Sequence, residues 1–421
     1  MIDKKDKTQT IMKKQHILTF IAVCGMTGAS LGIPISTAGI FYSPISVSLG
    51  AGKAAVSLMY TIVSMGMALF AIFIPALLKK IPVRRLVLTG AVLLLGGTFL
   101  TAMCNAMWEI IALSFVRAAG VGCLSVVICT MIINNWFYEK RGILTSILMT
   151  FTGIPGIILS PVFSSLTVKY GWHTGYMSTG IAIAVLLLPA VIFPLTLTPE
   201  EQGLKPYGYE EYEAYKQSRP EEKEEKGAEL QTFNYLSPAF ILAMVFSMTC
   251  CFMAAIPQHF PSYAESIGMS AATGSMMLSI VNLANIVCKM LYGSVVDKLG
   301  GRNTMLMMGA INLAGIAGLL FIHVPFVMII CAALYTFTYS ISSVGIVTLA
   351  ADIFGLQNYP KTYPLMNFSG GMALAAGSSI CGLLYDLSGS YFSTLVLALC
   401  VEVVVLVTMC LSYSLKKKQT V

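Results

Sequence analysis

Gly293-Ser294-Val295-Val296-Asp297-Lys298-Leu299-Gly300-Gly301-Arg302 is a short polar turn set between two long apolar runs. The run before it, at about 270–295, and the run after it, at about 303–322, contain one charged side chain between them, Lys289. Each run reaches the roughly 20 residues that a helix needs to span hydrocarbon. Open sheets leave backbone groups unsatisfied in lipid, and barrel strands are much shorter, so the two runs read as spanning helices joined by a charged turn. The first part of the chain repeats the device. Pro75-Ala76-Leu77-Leu78-Lys79-Lys80-Ile81-Pro82-Val83-Arg84-Arg85 also places a basic cluster between two apolar runs.

Working outward from these turns, the apolar runs fall at 16–41, 54–78, 86–105, 107–134, 143–167, 174–198, 237–262, 270–295, 303–322, 326–351, 362–385 and 391–414. The first is too long for a signal-peptide core and reads as the first membrane helix. The connections are short except for Pro199–Tyr235, which carries ten acidic and five basic residues, Glu221-Glu222-Lys223-Glu224-Glu225-Lys226 among them. Such a segment cannot bury apolar surface and should be solvated. The expected fold is therefore an all-α integral membrane protein of twelve transmembrane helices in two six-helix halves. The N-terminal half is 1–198, a cytoplasmic charged linker is 199–235, and the C-terminal half is 236–421.

Composition agrees with this reading and excludes others. The chain of 421 residues is 57% apolar and 11% charged, with mean hydropathy +0.80, whereas soluble domains are about 25% charged. A soluble enzyme, a disordered chain and a nucleic-acid binder are ruled out. The net charge of +7 does not restore nucleic acid as a partner, because 22 of the 26 Lys and Arg fall in segments on one side of the expected membrane. Lys53 and Lys169 fall on the other side, and Arg117 and Lys289 fall within apolar runs. Positive loops stay inside, so both termini are expected in the cytoplasm, with the protein multi-pass in the cytoplasmic membrane. All eleven cysteines lie in apolar runs without CxxC or Cys/His spacing, which reads as small buried hydrophobes with no metal and no cofactor.

On this background the Gly293–Arg302 string resembles the GxxxDKxGxR loop motif of the major facilitator superfamily. The resemblance gives Gly293, Asp297, Lys298, Gly300 and Arg302 a gating role, with Gly293 allowing close approach and Asp297 capping or pairing. The first-half copy departs from the motif, with Pro75 for the glycine and Lys79 for the acid. Asn134-Asn135-Trp136-Phe137-Tyr138-Glu139-Lys140-Arg141-Gly142 resembles the start of the fifth span in monocarboxylate transporters and the oxalate:formate antiporter family. Pro199-Glu200-Glu201-Gln202-Gly203-Leu204-Lys205-Pro206-Tyr207-Gly208 and Gln258-His259-Phe260-Pro261 resemble further strings of that group. The resemblance implies alternating-access transport of a small organic anion, proton-coupled or by exchange, by a non-enzymatic protein that works as a monomer among membrane lipids.

An ionisable residue inside a span is costly and points to function. Asn282, Asn285 and Lys289 are spaced three and four apart, so they form one polar stripe on a helix. Two amides and an ammonium facing one way suit a small anion. The bland alternative is that Lys289 snorkels to the headgroups. In monocarboxylate transporters a cation stands four residues before the loop glycine, as Lys289 does, but the acid often found four residues earlier is Asn285 here. Arg117 lies near midplane, about 15 Å into the fourth span, where it serves substrate or is satisfied by helix carbonyls. His259, beside Gln258 at the outer mouth, is either a titrating group suited to proton-linked transport or a satisfied structural histidine. Tyr335 and Tyr339 either line a cavity, as the resemblance implies, or simply pack. Glu402 reads as a neutral packed acid on an outer helix, and Glu109 as interfacial. Gly28 with Gly32, and Gly153 with Gly156, allow close helix packing.

The oxalate-type members carry cations on the eighth and eleventh spans. The eleventh here, Thr362 to Tyr385, has no Lys or Arg. One cation balances one carboxylate, which favours a monocarboxylate such as lactate, formate or pyruvate over a dianion. Export of hydrophobic drugs and a membrane sensor without flux stay as alternatives. Drug export would be favoured by an acid in the first three spans, and they have none.

Overall fold

The computed structural model describes residues 12–209 and 233–419. Most of the charged segment expected at 199–235 therefore lies outside the described residues. The chain is nearly all helix, and eleven helices are long and apolar enough to cross a bilayer. One of them, Ala271–Phe321, has 51 residues. At 1.5 Å per residue it would run about 76 Å, more than twice the roughly 30 Å hydrocarbon core. It does not run straight, because Gly300 breaks it with φ 74° and ψ 163°. A side chain there would be strained, and no atom lies within 4 Å of the Cβ position, so backbone conformation alone calls for glycine. The two arms are the eighth and ninth crossings, and the total is twelve.

The first six crossings are Lys14–Ser36, Lys53–Leu78, Val83–Thr101, Met107–Trp136, Gly142–Tyr170 and Trp172–Ile192. The seventh is Pro238–Ser266, and Pro325–Gly355, Lys361–Ser388 and Phe392–Leu415 are the tenth to twelfth. An even number of crossings brings the start of the first crossing and the end of the twelfth to one face, the terminal face; the opposite one is the far face. Two crossings contain a π-helical turn, Gly28–Gly32 in the first and Ile341–Gly345 in the tenth.

The apolar core falls into three clusters. One is built from residues between Ala22 and Leu195 with Leu278 added. The other two are built from buried residues of the second half, one from Phe240 onward and one from Met253 onward. Outside them, Ile158, Val185, Phe326 and Leu387 are exposed, as a lipid-facing surface allows. Among the described residues no cysteine pairs with another. Most cysteines are buried as expected, but Cys400 is exposed on the last crossing.

Two distant strings meet at the terminal face. The Tyr207 amide donates to the Trp136 carbonyl at 2.8 Å, and the Tyr138 amide donates back to the Tyr207 carbonyl at 2.8 Å. Trp136 Nε1 donates to the Thr196 carbonyl at 3.2 Å, and Asn135 Nδ2 to Leu197 at 3.2 Å. His16, buried at the start of the first crossing, donates through Nε2 to the Lys205 carbonyl at 3.1 Å and meets Trp136 edge-on. The beginning of the charged segment is thus a strap across the first, fourth and sixth crossings. Its last turn passes Gly208 at φ 80°, where a Cβ would stand 2.9 Å from the Glu139 amide nitrogen.

Candidate functional site

The seam between residues 12–209 and 233–419 is bonded at the far face. Asp386, at the end of the eleventh crossing, accepts from the amides of Lys53 and Ala54 at 2.7 and 2.9 Å, so it caps the second crossing from across the seam. Thr61 donates to the Ala375 carbonyl at 2.6 Å and lies 2.8 Å from Ser379 Oγ. The Gly39 amide donates to Gln258 Oε1 at 3.2 Å. Ser164 donates to the Ala271 carbonyl at 3.4 Å.

His259 sits among these contacts and is 1% exposed. Its Nε2 lies 2.8 Å from the Ser378 carbonyl, which can only accept, so Nε2 carries the proton. Nδ1 then accepts from the Tyr391 hydroxyl at 3.2 Å. The Tyr42 ring from the first half stands 5.0 Å away, and its hydroxyl is 3.0 Å from Ser378 Oγ. His259 is therefore a member of the far-face closure.

Below this closure the fifth and eighth crossings stay packed together, with Gly156 against Asn282. A Cβ on Gly156 would come 2.4 Å from Asn282 Nδ2, so glycine is what admits Asn282. That amide donates to the Ser36 carbonyl of the first crossing at 3.3 Å and to Leu278 at 2.9 Å. Toward the terminal face the contacts change. Ile154–Tyr170 packs on the eighth crossing, whereas Arg141–Thr150 of the same fifth crossing packs on the first and fourth.

Asn285 and Lys289 continue the stripe into that region. Asn285 Oδ1 is buried without a partner, and Lys289 is half-buried with no acid in ion-pair range among the described residues. Tyr339, half-buried before the π-helical turn of the tenth crossing, lies within electrostatic reach of Tyr60 across the seam. Tyr335 is committed elsewhere: it is fully buried, its hydroxyl donates to the Met253 carbonyl at 2.8 Å, and its ring packs on Phe260.

Arg117 is not on this stripe. It is 5% exposed, over the Tyr176 ring at 5.3 Å, and lines a small cavity walled by the first, second, fourth and sixth crossings. No residue of the eighth crossing lines that cavity.

The loop motif lies at the terminal face. Asp297 and Lys298 are exposed, and a Cβ on Gly293 would meet nothing within 4 Å, so the close approach expected there is absent. The close approach belongs to Gly301, whose Cβ would stand 2.5 Å from Asp352 Oδ2. Asp352 in turn accepts from the Tyr413 hydroxyl at 2.5 Å. Arg302 is exposed. Glu402, placed by sequence on an outer helix, is 0% exposed and accepts from Asn312 Nδ2 at 2.8 Å. Glu109 accepts from the amides of Asn105 and Ala106 at 3.1 and 3.2 Å and so closes the start of the fourth crossing.

Sequence reasoning did not single out Asp386, Thr61, Ser378, Tyr42 or Tyr391. The one available signal was Asp386, an acid at a span end that faces the first residues of another span.

The Major Facilitator Superfamily profile matches residues 17–378 and 260–420. The chain is 26% identical over 376 residues to the oxalate:formate antiporter of Oxalobacter formigenes, covering 87% of this chain and 82% of that protein. It is 21% identical over 329 residues to monocarboxylate transporter 13 of Rattus norvegicus, covering 77% and 72%. Among solved structures, the nucleoside transporter NupG superposes with a TM-score of 0.69 at 12% identity, over 95% of this chain and all of that one. A D-xylose–proton symporter superposes at 0.66 and 15% identity, covering 94% and 95%. These two show the fold.

Proposed function

Because the chain belongs to the Major Facilitator Superfamily, we propose that this transporter carries a small organic anion, a monocarboxylate first of all, by alternating access, proton-coupled or by exchange. One observation carries the reading: on a stripe that reaches the seam at Asn282, Lys289 has no acid in ion-pair range among the described residues and stands one turn from a buried Asn285 oxygen without a partner. An ammonium held inside a bundle without a counter-ion attracts an anion, and an amide beside it orients the carboxylate. The similarity to an oxalate:formate antiporter and a monocarboxylate transporter supports the same class.

In this reading residues 1–198 and 236–421 are two halves that rock about the stripe. Asn282 is the joint, since its amide already bonds Ser36 while the far face is closed. The basic residues put the terminal face in the cytoplasm, in the cytoplasmic membrane.

Purified protein in proteoliposomes, given labelled lactate, formate, pyruvate, oxalate and succinate under an imposed pH gradient, tests the proposal. Saturable uptake of a monocarboxylate is expected. Flux of none of the five, with the protein correctly inserted, would remove it. Cysteines engineered within 210–232 should react with an impermeant reagent only in opened cells; labelling of intact cells would reverse the orientation.

A further inference from the structure

We propose that the cavity around Arg117 is a second anion site, specific for a small monovalent anion and separate from the Lys289 stripe. Gly97 of the third crossing makes room for the arginine stem, since a Cβ there would come 2.6 Å from Arg117 Cγ. The guanidinium so placed faces the ring of Tyr176 from the sixth crossing. Its Nε is buried without a partner, and no acid pairs with it among the described residues. Arginine does not shed its proton in a protein, so the charge cannot be removed by deprotonation as a lysine's can. It calls for an anion or for solvent.

The rest of the wall offers donors and no negative charge. The Tyr176 hydroxyl is buried and unpartnered, and the Tyr60 side chain closes another side. Thr37 and Thr179 spend their protons on the carbonyls of Ile33 and Tyr176, both at 2.7 Å. A fixed positive charge and a free phenolic O–H without a competing acid select an anion that accepts from both.

Size narrows the class. The cavity is small and is lined wholly by residues of the first half. A halide and formate are the smallest anions that meet these requirements. The site opens on neither Lys289 nor any other residue of the second half, so it fills independently of the transport stripe.

The test uses purified full-length protein and its thermal unfolding midpoint, with sodium gluconate replaced stepwise by sodium chloride or sodium formate at constant ionic strength. The midpoint should rise saturably with at least one of the two. Arg117→Gln should abolish the rise. Tyr176→Phe should raise the half-saturating concentration about tenfold, the loss of one hydrogen bond to a charged group. Lys289→Gln should leave the rise intact while removing any stabilisation by lactate. A rise with chloride identifies a halide site, and a rise with formate alone that survives Lys289→Gln identifies a carboxylate-head site. Absence of any saturable rise overturns the proposal, as does a rise that survives both Arg117→Gln and Tyr176→Phe or is lost in Lys289→Gln. If Arg117→Gln does not fold, the Tyr176→Phe titration decides alone. The lactate arm reports on the transport reading separately.

Discussion

Arg117 and Lys289 are both cations set within apolar helices, yet the fold treats them in opposite ways. Arg117 is enclosed by crossings of one half, leaned on a tyrosine face, and lines a small cavity. Lys289 lies half-exposed on a stripe of the second half, beside an unpartnered amide oxygen and about two turns from Asn282, which bonds across the seam. A buried arginine keeps its charge and a fixed fork of donors, whereas a lysine is a mobile point charge on a flexible stem. The two proposals follow that difference: the mobile lysine is assigned to cargo that must leave and the fixed arginine to an ion that stays.

The largest expected effect separates the two residues. Lys289→Gln should cut monocarboxylate flux by about a hundredfold or more, since losing one partner of a desolvated charge pair costs roughly 2–5 kcal/mol. Lys289→Arg should retain part of the flux because charge survives while geometry changes. Proteoliposome uptake at matched protein density measures both, and normal flux in the glutamine variant would show that Lys289 merely reaches for the headgroups.

Next in size is charge selectivity. With Arg117 walled off, the stripe offers one positive charge, and a dianion brings one charge too many, at a cost of several kcal/mol if unpaired. Lactate and formate should therefore outcompete oxalate and succinate. Ser369→Lys should narrow or reverse that order, since Ser369 is half-buried on the eleventh crossing and its neighbour Gly370 has no room for a side chain. Oxalate winning in the unmodified protein would mean that a second cation reaches the cargo.

A smaller effect is expected at the far-face closure. Asp386→Asn weakens two charge-assisted bonds to the start of the second crossing, by about 1–3 kcal/mol. A cysteine at Ser57, buried beside Gly382 in the seam, should then be labelled faster from the far side. Unchanged labelling would mean that Thr61 and the His259 group hold the face alone.

The smallest concerns the strap. Gly208→Ala forces a positive φ against the Glu139 backbone and should cost about 1–2 kcal/mol, read as a lower unfolding midpoint with substrate selectivity unchanged. Altered selectivity would link the strap to the stripe.

Much of this molecule was legible in the residues. Twelve apolar runs fixed the number of crossings, because in lipid every backbone group must be satisfied within its own helix. The stripe of Asn282, Asn285 and Lys289 followed from helical periodicity alone. The basic turns and the glycine at 300 marked where the chain reverses. What periodicity cannot say is which helix a polar face meets. That Arg117 lines a cavity of the first half, away from the Lys289 stripe, depends on packing between crossings distant in sequence. Asp386 as a cap for Lys53, His259 as part of a closed face, and Glu402 turned inward onto Asn312 depend on it too. So does the docking of Tyr207 on Trp136, which joins two strings that the sequence shows only as separate resemblances. Local sequence sets a helix and its faces, because those depend on near neighbours; partnership across 300 residues is decided by shape, and shape exists only once the helices have packed.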